Sequence, residues 1–138
     1  MSRSGYSDET DNMWQYICHR GAVASGIRGK RGQALLRRTL VALDAMPEKI
    51  LIENEFGANG QFCTLGAVAA HESISLDSVD EEDTTKIART FEVSESLVRE
   101  IMYMNDEGAC FLSSDPSKRW RSMRAWVAEN LNSGMPHP

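Results

Sequence analysis

Leu36, Leu40 and Leu43 recur at i, i+4 and i+7 between a glycine at position 32 and a proline at position 47. That spacing places three leucines on one side of an α-helix over residues 33–46, with Arg37, Arg38 and Asp44 available for the other side. A helix of this kind holds its shape mainly because its apolar side is covered by something else. The remaining sequence must supply that cover, and most of what it offers is also helical.

Asp11-Asn12 reads as an N-cap for a helix running to about residue 27, with Trp14, Ile17, Cys18 and Val23 as its inward residues. Asp80-Glu81-Glu82-Asp83 puts acids in the first turn of a helix ending near Phe91, as the helix dipole favours. Ser94 caps another to about Met104, with Leu97, Val98 and Ile101 inward, and Asn105-Asp106-Glu107-Gly108 reads as its polar stop. Ser114-Asp115-Pro116 opens the last helix, whose apolar stripe is Trp120, Met123, Trp126 and Val127. Strand character is confined to residues 49–66: Lys49-Ile50-Leu51-Ile52-Glu53, a turn at Gly57-Ala58-Asn59-Gly60, and a return through Gln61-Phe62-Cys63-Thr64. Residues 65–71 are small and apolar and fit a short, tightly packed helix. The expected fold is a single domain over residues 1–134, mainly α within the α+β class. It has five to six short helices and one small β-hairpin, with residues 1–10 and 133–138 loose. Trp14, Leu36, Leu40, Leu43, Phe62, Val98, Ile101 and Trp126 are expected to share its core.

Length and composition limit the classes of function. At 138 residues, 41% hydrophobic and 25% charged, the chain can bury a core and lies outside the disordered range. No apolar run approaches the roughly 18–20 residues of a membrane span, and the first residues lack the apolar centre of a secretory signal. A cytoplasmic protein without membrane association is expected. Cys18, Cys63 and Cys110 are odd in number and far apart, which fits reduced, buried thiols. No second ligand stands at zinc spacing, so neither a metal nor a cofactor is expected.

Charge is unevenly spread within the net −5. Residues 20–38 carry Arg20, Arg28, Lys30, Arg31, Arg37 and Arg38 without an acid. Lys118, Arg119, Arg121 and Arg124 form a second basic cluster, and residues 72–83 are acidic without a base. Such segregation fits an anion-facing surface, and it also fits plain solvated faces.

Three stretches can carry chemistry. Gly26-Ile27-Arg28-Gly29-Lys30-Arg31-Gly32 joins two helices, and glycines there let backbone N–H groups turn toward an anion beside a helix N-terminus. Gly29-Lys30-Arg31-Gly32 also has the G-x-x-G form of a KH-domain loop, although no strand precedes the first helix. Residues 86–101 have the spacing of a helix-turn-helix in Ala88, Val93, Ser94, Val98 and Ile101. Glu92 nevertheless stands where the tight turn usually has Gly, and Glu95 and Glu100 against one Arg99 would repel phosphate, so a helix pair packed as core is the simpler reading. Asp106 and Glu107 could act as acid and base, but no nucleophile–base–orienter set can be assembled around them.

The chain resembles a group of small proteins encoded by phages, prophages and their bacterial hosts, for which no activity is known. The residues carrying the likeness are Met1–Ser7 with Asp8-Glu9, Ile27-Arg28-Gly29-Lys30-Arg31-Gly32-Gln33-Ala34, and Leu43-Asp44-Ala45-Met46-Pro47-Glu48-Lys49. Cys63-Thr64-Leu65-Gly66-Ala67-Val68 and Glu100-Ile101-Met102-Tyr103-Met104-Asn105-Asp106-Glu107-Gly108 complete it. The resemblance implies a mobile-element setting in which small proteins act on host proteins or defence systems. The resulting expectation is a non-enzymatic inhibitor or modulator of a host factor, binding a host protein or phosphorylated ligand. Its expected contact residues are Arg28, Gly29, Lys30, Arg31, Gly32 and Arg38, with no catalytic or metal-ligating residue. A nucleic-acid-binding regulator using residues 86–101 or 29–32, and a small enzyme using Asp106 or Glu107, are the alternatives.

Overall fold

In the computed structural model, residues 3–4, 13–108 and 115–133 are described. They form α1 (Met13–Arg28), α2 (Lys30–Ala45), a two-stranded antiparallel hairpin of β1 (Gly57–Ala58) and β2 (Gln61–Phe62), and then α3 (Thr64–Glu72), α4 (Thr84–Phe91), α5 (Glu95–Tyr103) and α6 (Pro116–Ser133). A single π turn, Met104–Gly108, extends α5. The mainly α class with six helices and one hairpin is as the hydrophobic pattern indicates.

The leucine helix is central. Leu35, Leu36, Thr39, Ala42 and Leu43 of α2 are buried, and α3 and α6 pack along it. The α6 helix runs antiparallel to α2. Gln33 Nε2 donates to the Asn130 carbonyl at 3.1 Å at one end, and Trp120 Nε1 donates to the Leu43 carbonyl at 3.1 Å at the other. Met123 and Val127 are the buried part of the α6 stripe, with Trp120 and Trp126 at its margin. Leu97, Val98, Ile101 and Met102 of α5 complete the core from the far side. Capping follows the residues: Ser94 Oγ accepts from the Leu97 N–H at 3.2 Å and Asp83 Oδ1 from the Lys86 N–H at 3.1 Å. The four acids at 80–83 thus precede α4 instead of filling its first turn.

Four expectations are corrected. Residues 49–53 are not a strand, because successive donors go to different elements. Leu51 N–H reaches the Pro116 carbonyl (3.1 Å), Ile52 N–H reaches Phe62 (3.0 Å), and Asn54 then turns left-handed at φ 66°. The hairpin is shorter than expected and turns at Asn59-Gly60, where both φ values are positive, as a tight two-residue loop requires. In α1 only Val23 and Ile27 are buried, whereas Trp14 is 71% and Ile17 54% exposed and Cys18 is exposed. The helix meets α5 through its later turns, so its first turns project beyond the core. Finally, Arg3 and Ser4 are buried instead of loose. The expected cap at Asp11-Asn12, the burial of Cys110, and the looseness of the remaining end residues fall outside the described residues. Of the expected core, Leu36, Leu43, Val98 and Ile101 are buried, Leu40 and Trp126 lie at its edge, and Phe62 is half-buried. No helix among the described residues is long and apolar enough to cross a membrane.

Candidate functional site

The glycine-rich stretch is not a loop. One residue, Gly29 (φ −68°, ψ 162°), separates α1 from α2. Its N–H still donates to the Ser25 carbonyl at 3.0 Å, and its own carbonyl accepts from the Gln33 N–H at 2.9 Å. Gly29 thus ends the hydrogen bonding of α1 and begins that of α2, and the chain bends sharply at this point. Gly32 is buried where α2 crosses Gly26 of α1, so close that a Cβ on Gly32 would stand 1.8 Å from the Gly26 carbonyl oxygen. A Cβ on Gly26 would in turn stand 2.6 Å from Ser94 Oγ of α5. Two of the three glycines therefore serve close helix packing, and Gly32 has no surface to offer a ligand.

The cations around them are different. Arg28, Lys30, Arg31 and Arg37 are exposed, and none has a side-chain partner among the described residues. The first turn of α2 has no acid, and Gly29 gives it no side-chain cap. The junction thus sets the uncapped N-terminus of α2 beside the C-terminus of α1, with unneutralised basic side chains around it.

Arg38 does not join this cluster. Its guanidinium is held by Glu72 of α3 in a two-pronged ion pair, Nε–Oε2 2.8 Å and Nη2–Oε1 2.7 Å. The Arg38 hydrogen bond keeps the Glu72 carboxyl below its ordinary value of 4.5, against the opposing effect of burial. A carboxylate depressed in the folded state binds fewer protons folded than unfolded. The stability this pair contributes is therefore present above about pH 4.5 and lost as pH falls through the depressed value. Glu72→Gln is expected to flatten the acid-side loss of stability, read as urea midpoints between about pH 3 and about pH 6. An unchanged slope would mean that the pair contributes nothing.

The second basic cluster is divided. Arg119 is buried, with Nε donating to the Asn105 carbonyl (2.9 Å) and Nη1 to the Leu51 carbonyl (3.2 Å), and Arg124 pairs with Asp44 at 2.6 Å. Lys118 and Arg121 stay exposed. Because α2 and α6 are antiparallel, this end of α6 lies beside the far end of α2. The fourteen residues from Gly29 to Leu43 put it about 20 Å along the axis from the junction. The two basic clusters do not form one patch.

A polar cluster that local sequence pattern does not reveal lies inside the fold. Arg3 clasps Asp106 with Nε–Oδ2 2.6 Å and Nη2–Oδ1 2.9 Å, both side chains almost fully buried. Burial opposes the Arg3 charge, but the Cys63 sulfur and the Asp106 carboxylate outweigh it, so Arg3 titrates above its ordinary value. Asp106 Oδ1 also accepts from the Asn54 N–H at 3.0 Å and from Asn105 Nδ2 at 2.8 Å. Asn105 Oδ1 accepts from the Thr64 N–H (3.0 Å) and Oγ1 (2.7 Å), and its Nδ2 also donates to the Ile52 carbonyl at 3.0 Å. What reads as a polar helix stop is instead a π turn with two consecutive polar side chains buried. With Asp106 accepting four hydrogen bonds, this cluster fastens distant segments of the fold to one another. The segments containing Arg3, Cys63-Thr64 and Asn105-Asp106 meet here.

Two clefts flank the hairpin. The one between the end of α2 and α3 has a volume of about 240 Å³ and is lined largely by apolar residues such as Met46, Ile50 and Phe62, with His71 at its edge. The wider one, about 680 Å³, lies between the hairpin and residues 73–79. Neither pairs a nucleophile with a base. Among the described residues, no three His, Cys, Asp or Glu side chains converge as metal ligands. Compared with protein-family models, curated proteins and solved structures, the chain matches none.

Proposed function

We propose that the chain is a small non-enzymatic binding protein of the mobile-element kind, acting as a modulator of a host factor. Its contact surface is the α1–α2 junction, through Arg28, Lys30 and Arg31 with Arg37 one to two turns on, and its partner surface is anionic. One observation supports this reading above the others. Elsewhere several arginines are committed to carboxylates, as in Arg3–Asp106, Arg20–Glu100, Arg38–Glu72 and Arg124–Asp44, and the exposed Arg89 and Arg121 stand apart from the junction. At the junction Arg28, Lys30 and Arg31, with Arg37 farther along α2, stand exposed with no carboxylate partner among the described residues. Like charges kept together are locally unfavourable, at Lys30 and Arg31 all the more so because they stand in the first turn of α2, and an anionic partner would relieve them.

The helix-turn-helix alternative has less support. The α5 helix buries Leu97, Val98, Glu100, Ile101 and Met102, and α1, α3 and α4 pack around it, so little of it is free to enter a groove. The carboxylate-enzyme alternative is likewise weakened by the engagement of Asp106 with Arg3.

Lys30→Glu combined with Arg31→Glu is expected to leave the melting temperature within about 2 °C, because exposed charges contribute little to stability. The same variant should lose whatever partner the intact chain captures from host lysate. Titration against short DNA and RNA at two salt concentrations then identifies the anion. A nucleic-acid partner gives a log–log salt slope of about 3 for three or four phosphate contacts, and a protein partner gives no nucleic-acid binding. A double variant that binds as well as the intact chain reduces the junction to a connector.

A further inference from the structure

The first turns of α1 carry large exposed apolar side chains, among them Met13 at 73%, Trp14 at 71% and Ile17 at 54%. Trp14 and Ile17 lie on the side of the helix turned away from Val23 and Ile27, which are buried against the rest of the fold. Trp14, Ile17, Gly21, Ala24 and Arg28 follow one another at steps of three and four, giving the outward side a stripe of its own. The stripe is bulky over its first turns and small from Gly21 to Ser25. A helix with apolar side chains on both sides needs cover on both. Gly21 supplies a second, independent sign. Gly26 and Gly32 are explained by close packing within the chain, but a Cβ on Gly21 would meet nothing within 4 Å. A glycine in mid-helix weakens the helix, and nothing in the described structure calls for one there.

We propose that two copies of the chain pair through the outward sides of α1, antiparallel and crossing at Gly21. A small residue at the crossing lets the two backbones come close. A two-fold pairing centred there sets the bulky half of each stripe against the small half of the other. It brings each Trp14 opposite its partner's Arg28, where the guanidinium plane can lie on the indole face and keep its N–H edge open to an anionic partner, and seats Ile17 over the small side chains of Ala24 and Ser25. Parallel pairing would stack Arg28 on Arg28 and bulk on bulk. The helix contains no acid to attract a basic partner and only Arg28 among charged residues on the stripe, so the surface matches its own copy. Met13, Trp14 and Ile17 together expose on the order of 400 Å² per copy. With exposed Cys18, Ala22 and Ser25 alongside, two copies reach the roughly 1,000 Å² that a specific interface needs.

Sedimentation of the full chain is expected to give twice the 15.4 kDa chain mass. Trp14→Glu with Ile17→Glu is expected to sediment as a monomer with an unchanged helical circular-dichroism spectrum. As a second measurement, Gly21→Cys in a Cys18→Ser background should cross-link to a covalent dimer on mild oxidation, while the Cys18→Ser parent does not. A monomeric intact chain, or a dimer unaffected by the glutamates, overturns the proposal. So does a dimer that Gly21→Cys fails to cross-link.

Discussion

Asp106→Ala is expected to lower the unfolding free energy by about 3–5 kcal/mol, as loss of one partner from a buried ion pair generally does. The carboxylate is almost fully buried and accepts from the Arg3 guanidinium, the Asn54 N–H and Asn105 Nδ2. Removing it strands a buried guanidinium and leaves two more donors without their acceptor. The Arg3 contact spans 103 positions of sequence, so the loss also unfastens the first residues from the π turn. Arg3→Met with Asp106→Leu should recover a large part of that loss, since an apolar pair of similar volume avoids the desolvation cost of both charges. Because the pair is buried, raising the salt concentration should change the result little. Urea denaturation followed by circular dichroism reads all three variants. A single-variant loss below about 1 kcal/mol would mean that water reaches the pair and that it is not part of the core.

The helical half of the architecture is legible because its signals are local. Leu36 and Leu43 at helical spacing, Ser94 three residues before Leu97, and Pro116 at the first turn of α6 each act within a few residues. The polar cluster is not legible, because nothing near Arg3 or Arg119 in the chain distinguishes them from exposed arginines. Their burial depends on carbonyls and carboxylates 14 to 103 positions away. The first helix misleads for a related reason. Trp14, Ile17 and Val23 are all apolar, but only the last is buried, and apolar character alone does not say which side of a helix the chain will cover. The candidate site is read in part. Arg28, Lys30 and Arg31 are exposed together at the junction, whereas Arg38 is drawn to Glu72 by a helix that lies more than thirty positions on.

The glycines of the same stretch yield the most discriminating test, because a flexible anion-binding loop and a close helix crossing predict opposite results. A loop held open for a ligand tolerates alanine at position 32 with a small change in stability. In the structure, Gly32 is buried and its added Cβ would stand 1.8 Å from the Gly26 carbonyl oxygen and 3.2 Å from the Ile27 carbonyl oxygen. Both obstacles are backbone, so no rotamer change relieves them, and the α1–α2 crossing must open. Opening it pulls on Gln33, whose Nε2 donates to the Ile27 carbonyl at 2.7 Å and the Asn130 carbonyl at 3.1 Å, and so on the packing of α6. Gly32→Ala is therefore expected to cost about 3 kcal/mol or more, at the upper end of overpacking losses, despite the better helix propensity of alanine. For a chain of this length that is a fall in melting temperature of about 10 °C or more. Lys30→Glu with Arg31→Glu, in the same turn but exposed, provides the reference with little change. If Gly32→Ala melts with that reference, the helices do not cross at Gly26, and the glycines return to the role of a ligand-facing turn.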